Sequence, residues 1–431
     1  MKHGIPILAT LLLLSALSGA AFGLQRFPPP QFESGHKLPE TLYPPPHADL
    51  FEYLDVAALA AALGVASWLA MKKRSRTALF ALMLASLAYF GFWRGGCTCP
   101  IGAIQNVTLA LFDASYTIPL IALAFFLLPL VFTLFFGRTF CAAVCPLGAI
   151  QDAVLVRPVR VPPWLERGLR LLAYAYLGAA VLFAATGSAF IICQYDPFVG
   201  FFRLSGSLWM LLFGGAMLLI GLFIGRPYCR FLCPYGVILG WLSSASRWRV
   251  TITPERCVHC RLCEEACPFG AIRTPAEPPT ARDRAQAKRR LAHFLGLIPV
   301  LVVAGLLVGG VLATPFSKMH ARVSLAERVK AEETGKVKGT TDATDAFYET
   351  GQPPSELYAE ALALRGKFLT GGRLLGGFLG LVVGLGLVQL SLRRSRPDYE
   401  ADRSGCLACG RCFDYCPVEL DRRKKARERK E

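Results

Sequence analysis

Apolar runs separated by short polar, mostly basic stretches dominate this chain. The runs lie near 5–23, 52–71, 77–93, 117–136, 169–191, 207–225, 291–313 and 371–392. A hydrocarbon layer of about 30 Å takes roughly 20 helical residues to cross, so the pattern predicts an all-α membrane bundle of about eight transmembrane helices. The intervals divide the rest. Residues 1–23 read as a first transmembrane helix or signal anchor, with small residues in SGAAFG that would suit cleavage. Residues 24–50, with Pro28–Pro30 and Pro44–Pro46, read as an extended extracytoplasmic segment. A transmembrane core is expected over 51–246. Two charged, cysteine-bearing segments, 247–290 and 393–431, enclose helices at 291–313 and 371–392 and the loop 314–370 between them. That loop contains SLAERVKAEE and SELYAEALALRGKF, helical patterns with charged faces that suit either a solvated cap or a docking surface for an extracytoplasmic partner.

Composition agrees with a membrane class: 54% of the 431 residues are hydrophobic and 18% are charged, far from the balance of a soluble domain. The net charge of +17 is concentrated beside the apolar runs, at Lys72, Lys73, Arg74 and Arg76, at Arg157 and Arg160, at Arg247 and Arg249, at Lys288 to Arg290, at Arg393, Arg394 and Arg396, and in the tail Arg422 to Lys430. Basic residues flanking membrane helices mark the cytoplasmic side. No basic patch is interleaved with base-stacking aromatics, so nucleic acid is not an expected partner. The resulting map is a multi-pass protein of the inner, cytoplasmic membrane. Its two cysteine-bearing segments face the cytoplasm, and Cys97, Cys99 and Cys193 lie toward the other side.

Fifteen cysteines carry the candidate chemistry. CVHCRLCEEACP at 257–268 and CLACGRCFDYCP at 406–417 are both C-x2-C-x2-C-x3-C-P runs. Three cysteines on one tight loop supply three of the thiolates that a cubane cluster needs, and in two-cluster ferredoxins the fourth ligates the other cluster. This predicts one [4Fe-4S] cluster on Cys257, Cys260, Cys263 and Cys416, and a second on Cys406, Cys409, Cys412 and Cys267. A zinc site would call for two separate cysteine pairs instead. About 140 residues, with two predicted membrane helices, part the runs. An even number of crossings returns the second run to the first, so the expectation is a small α+β ferredoxin-like module split by a membrane insertion. In the reducing cytoplasm these thiols are not expected to form structural disulfides.

FCAAVCPLGAIQD and YCRFLCPYGVILG each set C-x3-C-P at the end of an apolar run. Cysteines at i and i+4 share a helical face, so Cys141 with Cys145 and Cys229 with Cys233 would form a four-thiolate site, a candidate third cluster, if the helix ends meet. Free cysteines also serve as small buried hydrophobes; the two matching pairs favour the metal site. CTCPIGAIQN at 97–106 nearly repeats as CPLGAIQD at 145–152, offering similar turns to opposite membrane faces. Three readings stand for Cys97, Cys99 and Cys193: a further cluster completed by an outside ligand, a redox-active thiol or disulfide group, or a structural role. Thiolates at both borders would divide a layer of about 30 Å into shorter hops.

Paired C-x3-C-P motifs at membrane helix ends, followed by two ferredoxin-type runs, resemble the membrane polyferredoxins of the NapH and NosR type, over about 90–275 and 400–420. The resemblance implies electron transfer between the membrane or cytoplasm and a periplasmic redox system. The split ferredoxin and the additional C-x-C-P depart from the simple NapH arrangement. No C-x-x-C-H occurs, runs two to six hold no histidine, and His293 and His320 fall at interfaces, so no haem is expected. GTTDAT at 339–344 has Asp342 where a covalent flavin-attachment sequence has glycine, so FMN is not expected either. The sequence therefore predicts a membrane-bound iron–sulfur electron-transfer protein with two [4Fe-4S] clusters and one or two further candidate clusters. It would relay electrons between a cytoplasmic or membrane donor or acceptor and an extracytoplasmic redox partner. It would act as a subunit of a complex rather than as a self-contained enzyme, with no catalytic residues of its own. The alternative is a transmembrane thiol–disulfide relay or redox sensor.

Overall fold

The computed structural model describes residues 49–96, 99–252, 257–278, 280–391 and 395–428. The first apolar run, the Pro-rich segment and Cys97 lie outside them. Each apolar run within these bounds coincides with a helix. Helix α1 (Asp49–Trp68) continues through a π-helical turn to Lys73, and α2 (Arg76–Ser86) continues likewise to Trp93. Among the described residues, five helices are long and apolar enough to cross a membrane: Leu50–Lys73, Arg76–Trp93, Pro163–Ala185, Arg282–Ser317 and Pro354–Ser391.

Three others are shorter. Helix α3 (Ala103–Phe112), which the periodicity did not predict, is an apolar ten-residue piece between C-P and Asp113. Helix α4 (Leu120–Phe136) has 17 residues, and the chain then turns at Gly137 into the short helix Thr139–Ala143 and α5 (Pro146–Ala153). After α6 (Pro163–Ala185) comes α7 (Leu208–Gly221), with 14 residues, then the short helix Pro227–Phe231 and α8 (Pro234–Ser244). At 1.5 Å per residue α4 and α7 extend only about 26 and 21 Å, less than a full hydrocarbon layer of about 30 Å. Each of these two shorter helices leads into a C-x3-C-P turn.

Helices α9 (Ala281–Ser317) and α12 (Pro354–Ser391) form a long hairpin. Thr280 and Asp283 close a capping box at the start of α9, which satisfies two of the amides left open at a helix end. Gly305 and Gly309 of α9 face Gly376 and Gly372 of α12 so closely that a Cβ on any of the four would run into the opposing backbone. Between apolar helices in lipid, where no hydrophobic effect drives association, small residues permit this close backbone packing. At the far end, α10 (Ala321–Glu333) and α11 (Asp342–Glu349) fold against α12 around their own core of Val323, Ala326, Val329, Phe347, Leu357 and Ala361. The GTTDAT stretch supplies the cap of α11, with Thr341 and Thr344 bonded reciprocally.

The segments flanking the hairpin pair with each other. Strand β1 (Ile272–Arg273) lies antiparallel to β2 (Glu400–Ala401), in the register Ile272 to Ala401 and Arg273 to Glu400, and Ala276 bridges to Arg396. The short helices Leu262–Glu265 and Arg411–Tyr415 pack together, and α13 (Pro417–Glu428) comes next. Arg74, at the end of the first crossing, donates to Thr251 O (2.7 Å) and Ile252 O (2.8 Å), pairs with buried Glu419 (3.0 Å) and lies over the Phe413 ring. Ser243 Oγ donates to Arg403 O at 2.7 Å.

At the centre of this joint is Asp152, whose side chain has no exposed surface; it pairs with Arg76 (2.7 Å), Arg411 (3.2 Å) and Arg226 (3.4 Å). Burial alone would raise the pKa of its carboxyl, but Arg226, Arg411 and Arg76 outweigh that and hold it well below the usual range. A depressed folded-state pKa gives stabilisation that is present above the unfolded pKa of about 3.9 and is lost as the pH falls below it. Asp152→Asn is expected to cost about 3–5 kcal/mol, as removal of one partner from a buried ion pair does. The measurement is the thermal midpoint of the detergent-solubilised protein at pH 7, and a midpoint equal to wild type would refute the central role of this carboxylate.

Candidate iron–sulfur centres

The two ferredoxin-type runs wrap in the same way. His259 and Arg261 have φ of 52° and 64°, and the equivalent Ala408 and Gly410 have φ of 54° and 76°. Left-handed residues on either side of the middle cysteine coil each loop, so that the first three cysteines converge. Only Gly410 takes this conformation without cost. Cys257, Cys260 and Cys263 line one cavity together with Cys416 from the other run. Cys267 packs beside Cys406 and Cys409 around Phe269, Ala271 and Leu407, and Cys412 interacts electrostatically with all three of these cysteines. His259 and Asp398 also come within metal-ligand reach of Cys257; nothing in the cysteine spacing pointed to them.

Cys141, Cys145, Cys229 and Cys233 line a single cavity within the bundle, with Arg138, Phe140 and Tyr235 among its walls. The shared helical face expected for each pair is not how they meet. Cys145 and Cys233 are extended N-cap residues, with ψ of 116° and 113°, and each ends one short helix and opens the next. The reason is Pro146 and Pro234: a residue before proline is driven out of the helical region, while proline suits the first helical position. The helix amides then point back at the sulfur, and Gly236 N donates to Cys233 Sγ at 3.3 Å. Gly236 is needed by close approach, since a Cβ there would stand 3.2 Å from Arg138 Nη2 and 3.3 Å from Cys229 O. From this cavity α5 leads to Asp152 at the joint, and α8 leads to Ser243. Gln151 holds the two halves in register. Its Oε1 accepts from Tyr228 N (2.9 Å), and its Nε2 donates to Cys229 Sγ (3.3 Å).

The repeated phrase is matched in structure. Gln105, the counterpart of Gln151, accepts from Ile192 N (2.9 Å), the residue before Cys193, and donates to Ala189 O (3.4 Å). A Cβ on Gly102 would approach Cys193 Sγ to 3.0 Å. Cys99 interacts electrostatically with both Cys193 and buried Asp196. Ile101 lines the four-cysteine cavity, and two residues of extended chain reach at most about 7 Å. The separation between Cys99 and that cavity is therefore much less than the full membrane thickness expected from the sequence. Tyr228 and Phe198, both fully buried, stack edge to face at 5.7 Å between the two groups of cysteines. Sequence reasoning also missed Arg138 and Arg226, although each stands three residues before the first cysteine of its C-x3-C-P turn, in GRTFC and GRPYC, a repeat that could have marked them.

Residues 118–170 and 206–253 match a 4Fe-4S binding domain family, and residues 250–273 match a second 4Fe-4S binding domain family. The chain carries 4Fe-4S binding domains. The first match brackets both C-x3-C-P turns, and the second covers Cys257 to Cys267. The chain is 30% identical over 118 residues to the putative electron transport protein YccM of Escherichia coli, across 25% of this chain and 33% of YccM. It is 35% identical over 130 residues to the protein NirI of Paracoccus denitrificans, across 27% of this chain and 18% of NirI. It thus spans a third or less of these curated relatives. No solved structure matches it. These similarities bear out the resemblance to membrane polyferredoxins and the [4Fe-4S] class of cofactor.

The donor sets fit such a cofactor, because each cavity gathers thiols rather than oxygen ligands. Unligated, these thiols resist ionisation: burial pushes Cys263 up to about 11 and Cys406 up to about 12. A cluster takes thiolates, so loading must displace protons. Reconstitution of the iron-free protein with iron and sulfide is expected to accelerate as pH rises from 7 to 8.5, with the thiolate fraction increasing about tenfold per unit. A rate independent of pH would show that deprotonation is not the hurdle.

Proposed function

We propose that this protein is a membrane-embedded conduit for single electrons that links a cytoplasmic ferredoxin-type module to an extracytoplasmic redox partner. One observation carries the reading. Cys141, Cys145, Cys229 and Cys233 share one cavity, in segments that match a 4Fe-4S binding domain, between the module and the Cys99–Cys193 turns. We assign Cys257, Cys260, Cys263 and Cys416 to one [4Fe-4S] cluster, Cys267, Cys406, Cys409 and Cys412 to a second, and the four bundle cysteines to a third. Bound clusters supply one-electron redox capacity at each of these stations.

The chain's own residues set the spacing and the surroundings. The Asp152 joint holds Cys409 against the bundle, since Arg76 donates to both Asp152 (2.7 Å) and Cys409 O (3.2 Å). Tyr235 walls the cavity, and Tyr228 and Phe198, also buried, pack nearby. The pairing of β1 with β2 supports a module built from both flanks of the hairpin, which tethers it to the lipid. Basic flanks support a cytoplasmic position for that module in an inner-membrane protein. Cys99 and Cys193 form the outward-side group, and the cap of α10 and α11 is the surface offered to the extracytoplasmic partner within a larger complex.

Anaerobically purified protein is expected to contain iron for all three cluster sites. Cys145→Ser should remove the iron of one cluster and leave the two module signals in the electron paramagnetic resonance spectrum. Thiol trapping provides the opposing outcome: bundle cysteines that become alkylatable only after reduction, in a protein carrying no iron at that site, would favour a thiol–disulfide relay.

A further inference from the structure

Two buried guanidinium groups lie between the four-cysteine cavity of the bundle and the Cys267–Cys406–Cys409–Cys412 group of the module. Arg226 has no exposed surface. It donates to Cys141 O and to Ala142 O (3.3 Å), pairs with Asp152, and faces the Phe269 ring at 5.7 Å. Its charge is felt by Cys229 on the bundle side and by Cys409 on the module side. Arg138 is 8% exposed and spans the same gap. One terminal nitrogen donates to Ser404 O at 3.1 Å and the other approaches Cys141 Sγ at 3.8 Å.

The charge balance at this place is uneven. Arg76, Arg226 and Arg411 share the single carboxylate of Asp152. Arg138 is held by a carbonyl and a sulfur, and its buried Nε has no partner. A buried charge is costly unless an opposite charge stands near it. A cluster held by four thiolates is a net anion and supplies that opposite charge from either side. Fixed positive charge in a low-dielectric interior favours the more negative, reduced state of a neighbouring redox centre. Arg170 and Arg230 share the single carboxylate of Glu166, so the pairs nearby add to the positive excess rather than cancel it.

We propose that Arg138 and Arg226 raise the reduction potentials of the two cysteine sites that meet at the joint, so that an electron arriving at the outlying Cys257 site is drawn inward and held beside the membrane. The inference rests on the cluster assignments above.

The test is a redox titration of the cluster-loaded protein followed by electron paramagnetic resonance, with the Cys257-site signal identified by its loss in Cys260→Ser. Arg138→Gln is expected to retain its iron and to lower the reduction equilibrium constant of the joint clusters at least tenfold, about 59 mV for one electron. The Cys257 site should stay within a small fraction of that shift, and Arg138→Lys should restore most of the loss. Full iron content with unmoved potentials, or an equal shift at all sites, overturns the proposal. If Arg138→Gln loses iron, Arg138→His decides: its titratable charge should make the joint potentials depend on pH between 6 and 8, where wild type is flat, and flat behaviour overturns the proposal. A wild type without the bundle cluster signal would instead defeat the assignment on which the proposal rests.

Discussion

One carboxylate among three guanidiniums is the constraint on which the rest of this structure depends. Asp152 is carried to the joint by α5, the helix that starts at Cys145, so the same eight residues fix both a sulfur in the bundle and the anchor of the module. Its three partners come from distant parts of the chain: Arg76 from the start of α2, Arg226 from the turn before Cys229, and Arg411 from the second ferredoxin-type run. Bundle and module are therefore locked near the place where Cys141 packs against the hydrophobic cluster around Cys267, Cys406 and Cys409. All three guanidiniums contact Asp152, and Arg76 and Arg226 also donate to backbone carbonyls, which offsets part of the cost of their burial. Arg226 adopts a left-handed φ of 50°, unusual for a side chain of its size; the strain is accepted where the guanidinium must be placed.

The symmetry within the bundle gives the repeated phrase a physical meaning. Gln105 and Gln151 each accept from the amide that precedes a cysteine on another segment, Cys193 in one case and Cys229 in the other. The amide side chain is buried in both cases and has its acceptor and donor satisfied, as a low-dielectric interior demands. What repeats is thus a way of clamping one cysteine turn to another. The two copies differ in the number of sulfurs that they bring together. The C-x3-C-P copies contribute four cysteines to one cavity, whereas Pro197 stands four residues beyond Cys193, where Cys233 stands beyond Cys229.

Much of this was legible in the sequence, for identifiable reasons. Apolar runs longer than about 17 residues are governed by lipid, which permits little but helix; the runs at 52–71, 169–191, 291–313 and 371–392 coincide with long helices. The C-x2-C-x2-C spacing fixes a loop geometry locally, so the convergence of each run was readable. The pairing of Cys416 with the first run was readable only through knowledge of how such modules exchange their fourth cysteine. Shorter features were opaque. Residues 103–112 are too few to stand out as a helix, and the kink at Cys145 and Cys233 comes from proline overriding the helical periodicity that surrounds it. Arg74 and Arg76 were legible as markers of sidedness, but their partners Glu419 and Asp152 lie far away in sequence. Long-range ion pairs leave no local trace.

The hairpin of α9 and α12 lies between the two ferredoxin-type runs, and this has a temporal consequence for a chain made from its N-terminus. When Cys257, Cys260 and Cys263 leave the ribosome, the chain that will provide Cys416 has not been synthesised, and two further long apolar helices must be made before it arrives. Neither set of module cysteines is complete during that interval, whereas all four cysteines of the bundle cavity have already been made. The order of the genetic message thereby makes closure of the module the last step of assembly, after the bundle cysteines and both helices of the hairpin have been made.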